Sequence, residues 1–168
     1  QFRVIGSKPR LFVNELMAAN DTTLRDPDGE AEDWIEIYNG DSVSIGLGSC
    51  YLSDNFSNAR KWKFPDTTIA AGNFLLIWAD EDSNQGPLHA MFKLSRDGER
   101  VGLYRGDSVS IALIDTVSFG YQQTDVSYGR MPDGGGWQIM PRATPGYSNV
   151  LTTVSGNTLT PNRFALEQ

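Results

Sequence analysis

The sequence predicts an all-β fold, an antiparallel two-sheet β-sandwich of immunoglobulin type. Three observations favour this class: apolar residues recur with a period of two, turn signals separate the runs, and no segment carries a helical apolar stripe. Seventeen glycines and eight prolines fit a chain with many turns and about eight short strands. The period alone would also permit a barrel or a jelly roll.

The strand pattern can be followed along the chain. Residues 11–14 and 34–38 alternate, which places one set of side chains in a core and the other toward solvent. Residues 74–79, Phe-Leu-Leu-Ile-Trp-Ala, are apolar on both faces and predict a central strand. Asn39-Gly40 predicts a type I′ turn, and two further glycine turns on either side of residue 100 predict a β-meander.

One domain with two flanks is the expected organisation. The 168 residues suit a single domain. We expect residues 1–10 to be an N-terminal flank or linker and residues 11–149 to form the sandwich. Residues 150–168 are rich in Thr, Ser, Asn and Pro, and we expect a linker or C-terminal tail there.

Charge and composition limit the partners. A formal net charge of −7 disfavours binding to nucleic acid and to anionic membrane surfaces. No apolar run approaches the length of a membrane span, so membrane insertion is not expected. The single cysteine, Cys50, cannot close an internal disulfide, and we expect it to be a small buried apolar residue.

Two acidic loops are candidates for a metal ion. Asp80, Asp82 and Asn84 place oxygen ligands at alternate positions, which lets a loop wrap a calcium ion, although a solvated loop is the simpler interpretation. Residues 26–30, Asp-Pro-Asp-Gly-Glu, have a similar composition and predict a turn. If the two loops met at one end of the sandwich, they could share an ion. Apart from calcium, no cofactor is expected.

No catalytic site is predicted. His89 is the only histidine and no Gly-x-Ser-x-Gly motif is present, so we expect a strand-edge histidine with a local hydrogen bond. Glu15 and Glu36 lie in predicted strands and could form the acid and base of a glycosidase. The preferred interpretation is that each carboxylate faces solvent or pairs with an Arg or Lys.

Tryptophans are the other candidate binding residues. Trp34 and Trp137 border predicted turns, so they are the two tryptophans we expect to be most exposed. An exposed aromatic pair beside the acidic loops would favour a carbohydrate-binding module assisted by calcium. Buried tryptophans would count against such a module.

Several motifs, in order along the chain, resemble the lamin-tail domain family. Lys-Trp-Lys-Phe-Pro at 61–65 and the stretch 68–79, in which a Gly-centred turn precedes Ile-Trp-Ala, are similar to nuclear lamin tails. Asp-Trp-Ile-Glu-Ile-Tyr-Asn at 33–39 and Ser-Tyr-Gly-Arg at 127–130 are more similar to the bacterial branch. The resemblance covers about residues 11–149.

This resemblance implies an immunoglobulin-like fold with no catalytic residue to transfer. Bacterial members are often accessory modules of larger secreted or surface proteins, which implies an extracellular or cell-surface location. The expected function is a non-catalytic accessory module that mediates protein interaction or spaces domains, with neighbouring domains or another protein as partners. The alternative is a carbohydrate-binding module with a polysaccharide partner. Fold-level analogy does not identify the ligand.

Overall fold

A computed structural model describes residues 8–150, which form twelve β-strands and no helix. No helix among these residues is therefore long and apolar enough to cross a membrane. Most of the two predicted flanks lies outside the described residues. The strands are β1 Leu11–Met17, β2 Trp34–Asn39, β3 Ile45–Gly46, β4 Cys50–Ser53, β5 Trp62–Lys63, β6 Thr68–Ile69, β7 Phe74–Ala79, β8 His89–Ala90, β9 Glu99–Gly106, β10 Ile111–Phe119, β11 Tyr128–Met131 and β12 Gly136–Ile139.

Two main sheets form the sandwich. The six-stranded sheet has the order β12-β11-β1-β2-β7-β8, the four-stranded sheet has the order β10-β9-β4-β5, and β3 pairs with β6 in a small third sheet. This architecture confirms the predicted all-β, immunoglobulin-like sandwich. β7 lies inside its sheet, as the apolar run predicts. One pair departs from the antiparallel pattern, because residues 80–88 carry the chain back so that β8 runs parallel to β7.

The two main sheets share one hydrophobic core. Each large apolar side chain that is fully buried there stabilises the fold by roughly 1.5–3 kcal/mol. The period-two pattern is what gives each sheet a continuous apolar face. The fully buried members from these strands include Leu11, Val13 and Leu16 of β1, Ile35 and Ile37 of β2, Leu52 of β4, Ile77 of β7, Val101 and Leu103 of β9, and Val117 of β10.

A β-bulge in β1 decides which face its side chains occupy. The pairing of β1 with β2 shifts between Val13 and Glu15. Strict alternation would place Glu15 on the core face together with Leu11 and Val13. The extra residue sends Leu16 to the core instead and turns Glu15 and Met17 to the outer face of the sheet.

The turn prediction at Asn39-Gly40 is wrong, whereas the meander is partly present. Neither residue has a positive φ, which a type I′ turn requires. Asn39 ends β2, and its buried amide donates to the carbonyls of Val43, Ile69 and Ala70 at 2.9–3.1 Å. Farther along the chain, β9 and β10 form the predicted hairpin.

Candidate functional site

The outer face of the six-stranded sheet carries two buried glutamates between two apolar rows. Glu15 of β1 and Glu36 of β2 are directly opposed in the register, and both are fully buried. Like charges in this position repel each other and are costly to bury. The flanking rows are Met17, Trp34 and Trp78 on one side and Phe12, Tyr38 and Phe74 on the other.

Residues 143–149, here called the covering segment, close over this face. Glu15 accepts hydrogen bonds from the Thr144 backbone N–H at 3.1 Å and the Thr144 hydroxyl at 2.8 Å. The Ser127 hydroxyl donates to Glu15 at 2.6 Å. Glu36 accepts the backbone N–H of Gly146 at 2.6 Å. The two carboxylates therefore hold the covering segment on the sheet.

Asp133 fixes the end of the covering segment. Its Oδ1 atom accepts the backbone N–H of Asn149 and the side-chain amide of Asn14, each at 2.9 Å. The Ser148 hydroxyl also donates to Asp133. Asn14 is the bulged residue of β1, so the bulge and the covering segment are joined through a single carboxylate.

Burial raises the pKa of both glutamates. For Glu36 the pKa lies well above its usual value, first because the group is desolvated and second because Glu15 is close by. Desolvation is also the main cause of the raised pKa of Glu15. The prediction that these carboxylates face solvent or pair with Arg or Lys is wrong. Because both are covered, they also give no support to a glycosidase pair.

The structure separates the two predicted tryptophans. Trp34 is fully buried, because it lies in the outer-face row that Leu24 and Ala143 cover, so its predicted exposure is wrong. Trp137 of β12 is half-buried and stacks on Tyr128 with 5.1 Å between ring centroids. The two rings do not form an exposed aromatic pair.

Arg130 fixes the β11–β12 hairpin to the rest of the sandwich. Its Nη2 atom lies 2.9 and 3.0 Å from the two carboxylate oxygens of Asp115 in β10. It also donates to the carbonyls of Val13 and Gly135, and its guanidinium lies 4.8 Å from the Trp137 ring centroid. The hairpin is therefore a rigid edge of the sheet.

The three predicted calcium ligands have different partners. Asp80 is buried, and its Oδ2 atom lies 2.5 Å from Nδ1 of His89. Its Oδ1 atom accepts the backbone N–H of Asp82 at 2.9 Å. The Asp82 carboxylate in turn accepts the backbone N–H of Asn84 at 3.2 Å. Asp80 and Asp82 thus stabilise the turn, and Asp80 faces the histidine.

A buried cluster that was not predicted from the sequence is formed by Asp26, Asp80 and His89. One potential ligand atom from each residue lies within 4.8 Å of the others. Asp26 belongs to the loop between β1 and β2, so the two acidic loops do meet. The Gln85 amide also joins them, donating to Glu30 at 2.8 Å.

Strand pairing explains why the loops meet. β2 runs antiparallel to β7, so the chain entering β2 lies beside the chain leaving β7. The backbone N–H of Ala79 donates to the carbonyl of Asp33 at 2.8 Å at this point. If the pairing of residues 34–38 with residues 74–78 had been predicted from the sequence, it would have placed the two acidic loops side by side.

Two simpler expectations are confirmed. His89 lies in the edge strand β8 and makes a local hydrogen bond to Asp80. Cys50 is fully buried, and this burial raises the pKa of its thiol. A thiol of this kind packs as a small apolar side chain.

The comparisons with known proteins give one match. The family model described as Lamin Tail Domain matches residues 6–120. Neither the curated proteins nor the solved structures contain a match to this chain. The family has an immunoglobulin-like fold and is generally non-enzymatic, in agreement with the sandwich described above. The matched segment is more than half of the chain, and we conclude that this protein belongs to the lamin tail domain family.

Proposed function

We propose that this domain is a non-catalytic accessory module of a larger exported or surface protein and that it acts by protein interaction. The observation that supports the proposal most directly is the free edge of the six-stranded sheet at β12. Within residues 8–150, β12 pairs on one side only, with β11. Its other side presents backbone N–H and C=O groups on which a partner strand can add.

The side chains around β12 suit a protein partner. Ile139 is 71% exposed, so a large apolar side chain in the edge strand itself is available for contact with a partner. A shallow concavity beside it is lined by Met131, Pro132, Gln138 and Val150. Because Arg130 holds the hairpin in place, a partner that binds here loses little loop entropy on binding.

Amide hydrogen exchange tests this surface. Exchange at residues 136–139 is compared between the isolated chain and the full-length protein in which the domain occurs. We expect exchange at β12 to slow at least about tenfold in the full-length protein, because a paired edge is protected. Residues 107–110, the β9–β10 turn, are the internal control. The substitution Ile139→Lys should abolish the protection, and its exposed position should leave the fold intact.

Two outcomes would contradict the proposal. The first outcome is amide exchange at β12 that is equal in the isolated chain and in the full-length protein, with no complex detected by elution volume. The domain would then have only a role in spacing its neighbours. Recovery of the native protein from the cytoplasm after cell fractionation would contradict export.

A further inference from the structure

We propose that Asp26, Asp80 and His89 bind one divalent metal ion of the zinc type. This site is independent of the interaction surface proposed at β12. It lies where the loop between β1 and β2 meets β7 and β8. The three side chains are 6%, 5% and 4% exposed, so the cluster is enclosed.

An unsatisfied oxygen points to a ligand at this site. The Oδ1 atom of Asp26 accepts the backbone N–H of Glu30 at 2.8 Å. Its Oδ2 atom is buried and has no hydrogen-bond partner among the described residues. A buried carboxylate oxygen without a partner is costly, and a bound cation removes that cost.

The charge of the cluster also favours a cation. Asp26 and Asp80 bring two carboxylates to one buried position, where Asp80 pairs with His89. Lys93 lies across a β-bridge from Asp80 but forms no ion pair with either carboxylate among the described residues. Among residues 8–150, lysine and arginine form ion pairs only elsewhere, at Asp54 and Asp115. Buried charges are normally paired or coordinate a metal.

The donor set selects the kind of metal. Calcium takes six to eight oxygen ligands, and a histidine nitrogen does not belong to its usual set. Zinc binds histidine nitrogen and carboxylate oxygen, often with three protein ligands and one open position. Ligands about 2.0–2.2 Å from a tetrahedral ion lie roughly 3.4 Å from one another. The atoms of the cluster already lie within 4.8 Å of one another, but Asp80 Oδ2 and His89 Nδ1 are 2.5 Å apart, so these two atoms must move roughly 1 Å apart for both to bind one ion.

The surroundings keep this cluster together. Gln85 bridges the two loops through Glu30 at 2.8 Å, and its Oε1 atom is a second buried oxygen without a partner. The Trp78 ring stacks near His89, with 6.4 Å between ring centroids. An ion here would join the loop before β2 to the edge of the same sheet.

Calorimetry tests the site with metal ions alone. Protein stripped with EDTA is titrated with Zn²⁺, and separately with Mn²⁺, Ca²⁺ and Mg²⁺. We expect one Zn²⁺ per chain, with micromolar or tighter affinity and a rise of several degrees in Tm at a hundredfold excess over Kd. Asp26→Asn and His89→Gln should weaken Zn²⁺ binding at least about tenfold. Asp82→Asn is the matched control, since it lies in the same loop but outside the cluster, and it should bind as the wild type does.

The wild-type protein offers a test that needs no variant. His89 is the only histidine, so its imidazole gives a single set of NMR signals. Saturating Zn²⁺ should move one of its ¹⁵N resonances to the position of a metal-bound nitrogen. Unchanged imidazole signals, or Zn²⁺ binding that survives both Asp26→Asn and His89→Gln, would overturn the proposal. Binding of Ca²⁺ alone, lost in Asp82→Asn, would replace it with a calcium site in the 80–84 loop.

Discussion

Glu15→Gln is expected to stabilise the protein at neutral pH and to flatten its pH dependence. The glutamine oxygen can accept from Thr144, and the Ser127 hydroxyl can turn to accept from the glutamine amide, so the hydrogen bonds are kept. What is removed is one of two opposed buried carboxylates. Its loss also lowers the pKa of Glu36, which the charge of Glu15 helps to raise.

The sign and size of the effect follow from the raised pKa. Below the unfolded value, near 4.5, Glu15 is protonated in both states and its contribution to stability is fully present. As the pH rises toward the higher folded pKa, the folded carboxyl must either hold its proton or ionise in an apolar site, and this contribution is lost. The free energy of unfolding then falls by up to about 1.4 kcal/mol per pH unit for each such group. The stability difference between Glu15→Gln and wild type should grow at up to that rate from pH 4.5 until the pH passes the folded pKa of Glu15, and should then stay constant.

Urea unfolding at pH 4, 5, 6, 7 and 8, followed by tryptophan fluorescence, measures this difference. Glu15→Ala is the control, because it removes the charge but leaves the donors of Ser127 and Thr144 without an acceptor. It should destabilise the protein at every pH, by roughly 2–4 kcal/mol. A difference between Glu15→Gln and wild type that stays constant from pH 4 to pH 8 would refute the argument.

Three further variants or reactions test the packing. Arg130→Ala should lower the free energy of unfolding by about 2–4 kcal/mol, because it leaves Asp115 without its charged partner in a mostly buried position. Urea unfolding measures this loss, and an unchanged free energy of unfolding would show that the contact is unimportant. Asn39→Ala should cost roughly 1–3 kcal/mol, since the buried carbonyl of Ile69 and the partly buried carbonyls of Val43 and Ala70 lose this donor. Amide exchange at β6 that is as slow in the variant as in the wild type would count against this role. Cys50 should react with a thiol reagent at pH 8 at least about a hundredfold more slowly in the native protein than in urea, and equal rates would show that the thiol is accessible.

The fold was predictable because its signals are local. Alternation fixes the faces of β2, and the apolar run at 74–79 marks an interior strand, as found for β7. The bulge at Asn14 was not predicted, although the alternation breaks there: Glu15 stands where the pattern of Leu11 and Val13 calls for an apolar residue, and Leu16 follows it. That one extra residue turns Glu15 to the outer face of the sheet, where Thr144 of the covering segment then buries it.

The sites depend on contacts between residues far apart in the chain. Glu36 is buried because residues 143–149 cover it, and nothing near Glu36 in the sequence indicates this. The same holds for Trp34, which Ala143 helps to cover. The metal cluster differs, since composition marked both acidic loops, and only the pairing of β2 with β7 was needed to bring Asp26 to Asp80.

The bond between Asn149 and Asn14 also determines how the domain fits into a longer chain. The Asn149 amide lies 3.4 Å from the carbonyl of Asn14, so the chain leaves the sandwich beside the strand by which it entered. With about 3.3 Å per residue in a strand, Arg10 and Val150 lie within roughly 20 Å of each other. Two segments attached at these points would be neighbours, and the sandwich would protrude from their junction as a side branch. It would add little to the contour length of its parent, and most of its surface would stay accessible.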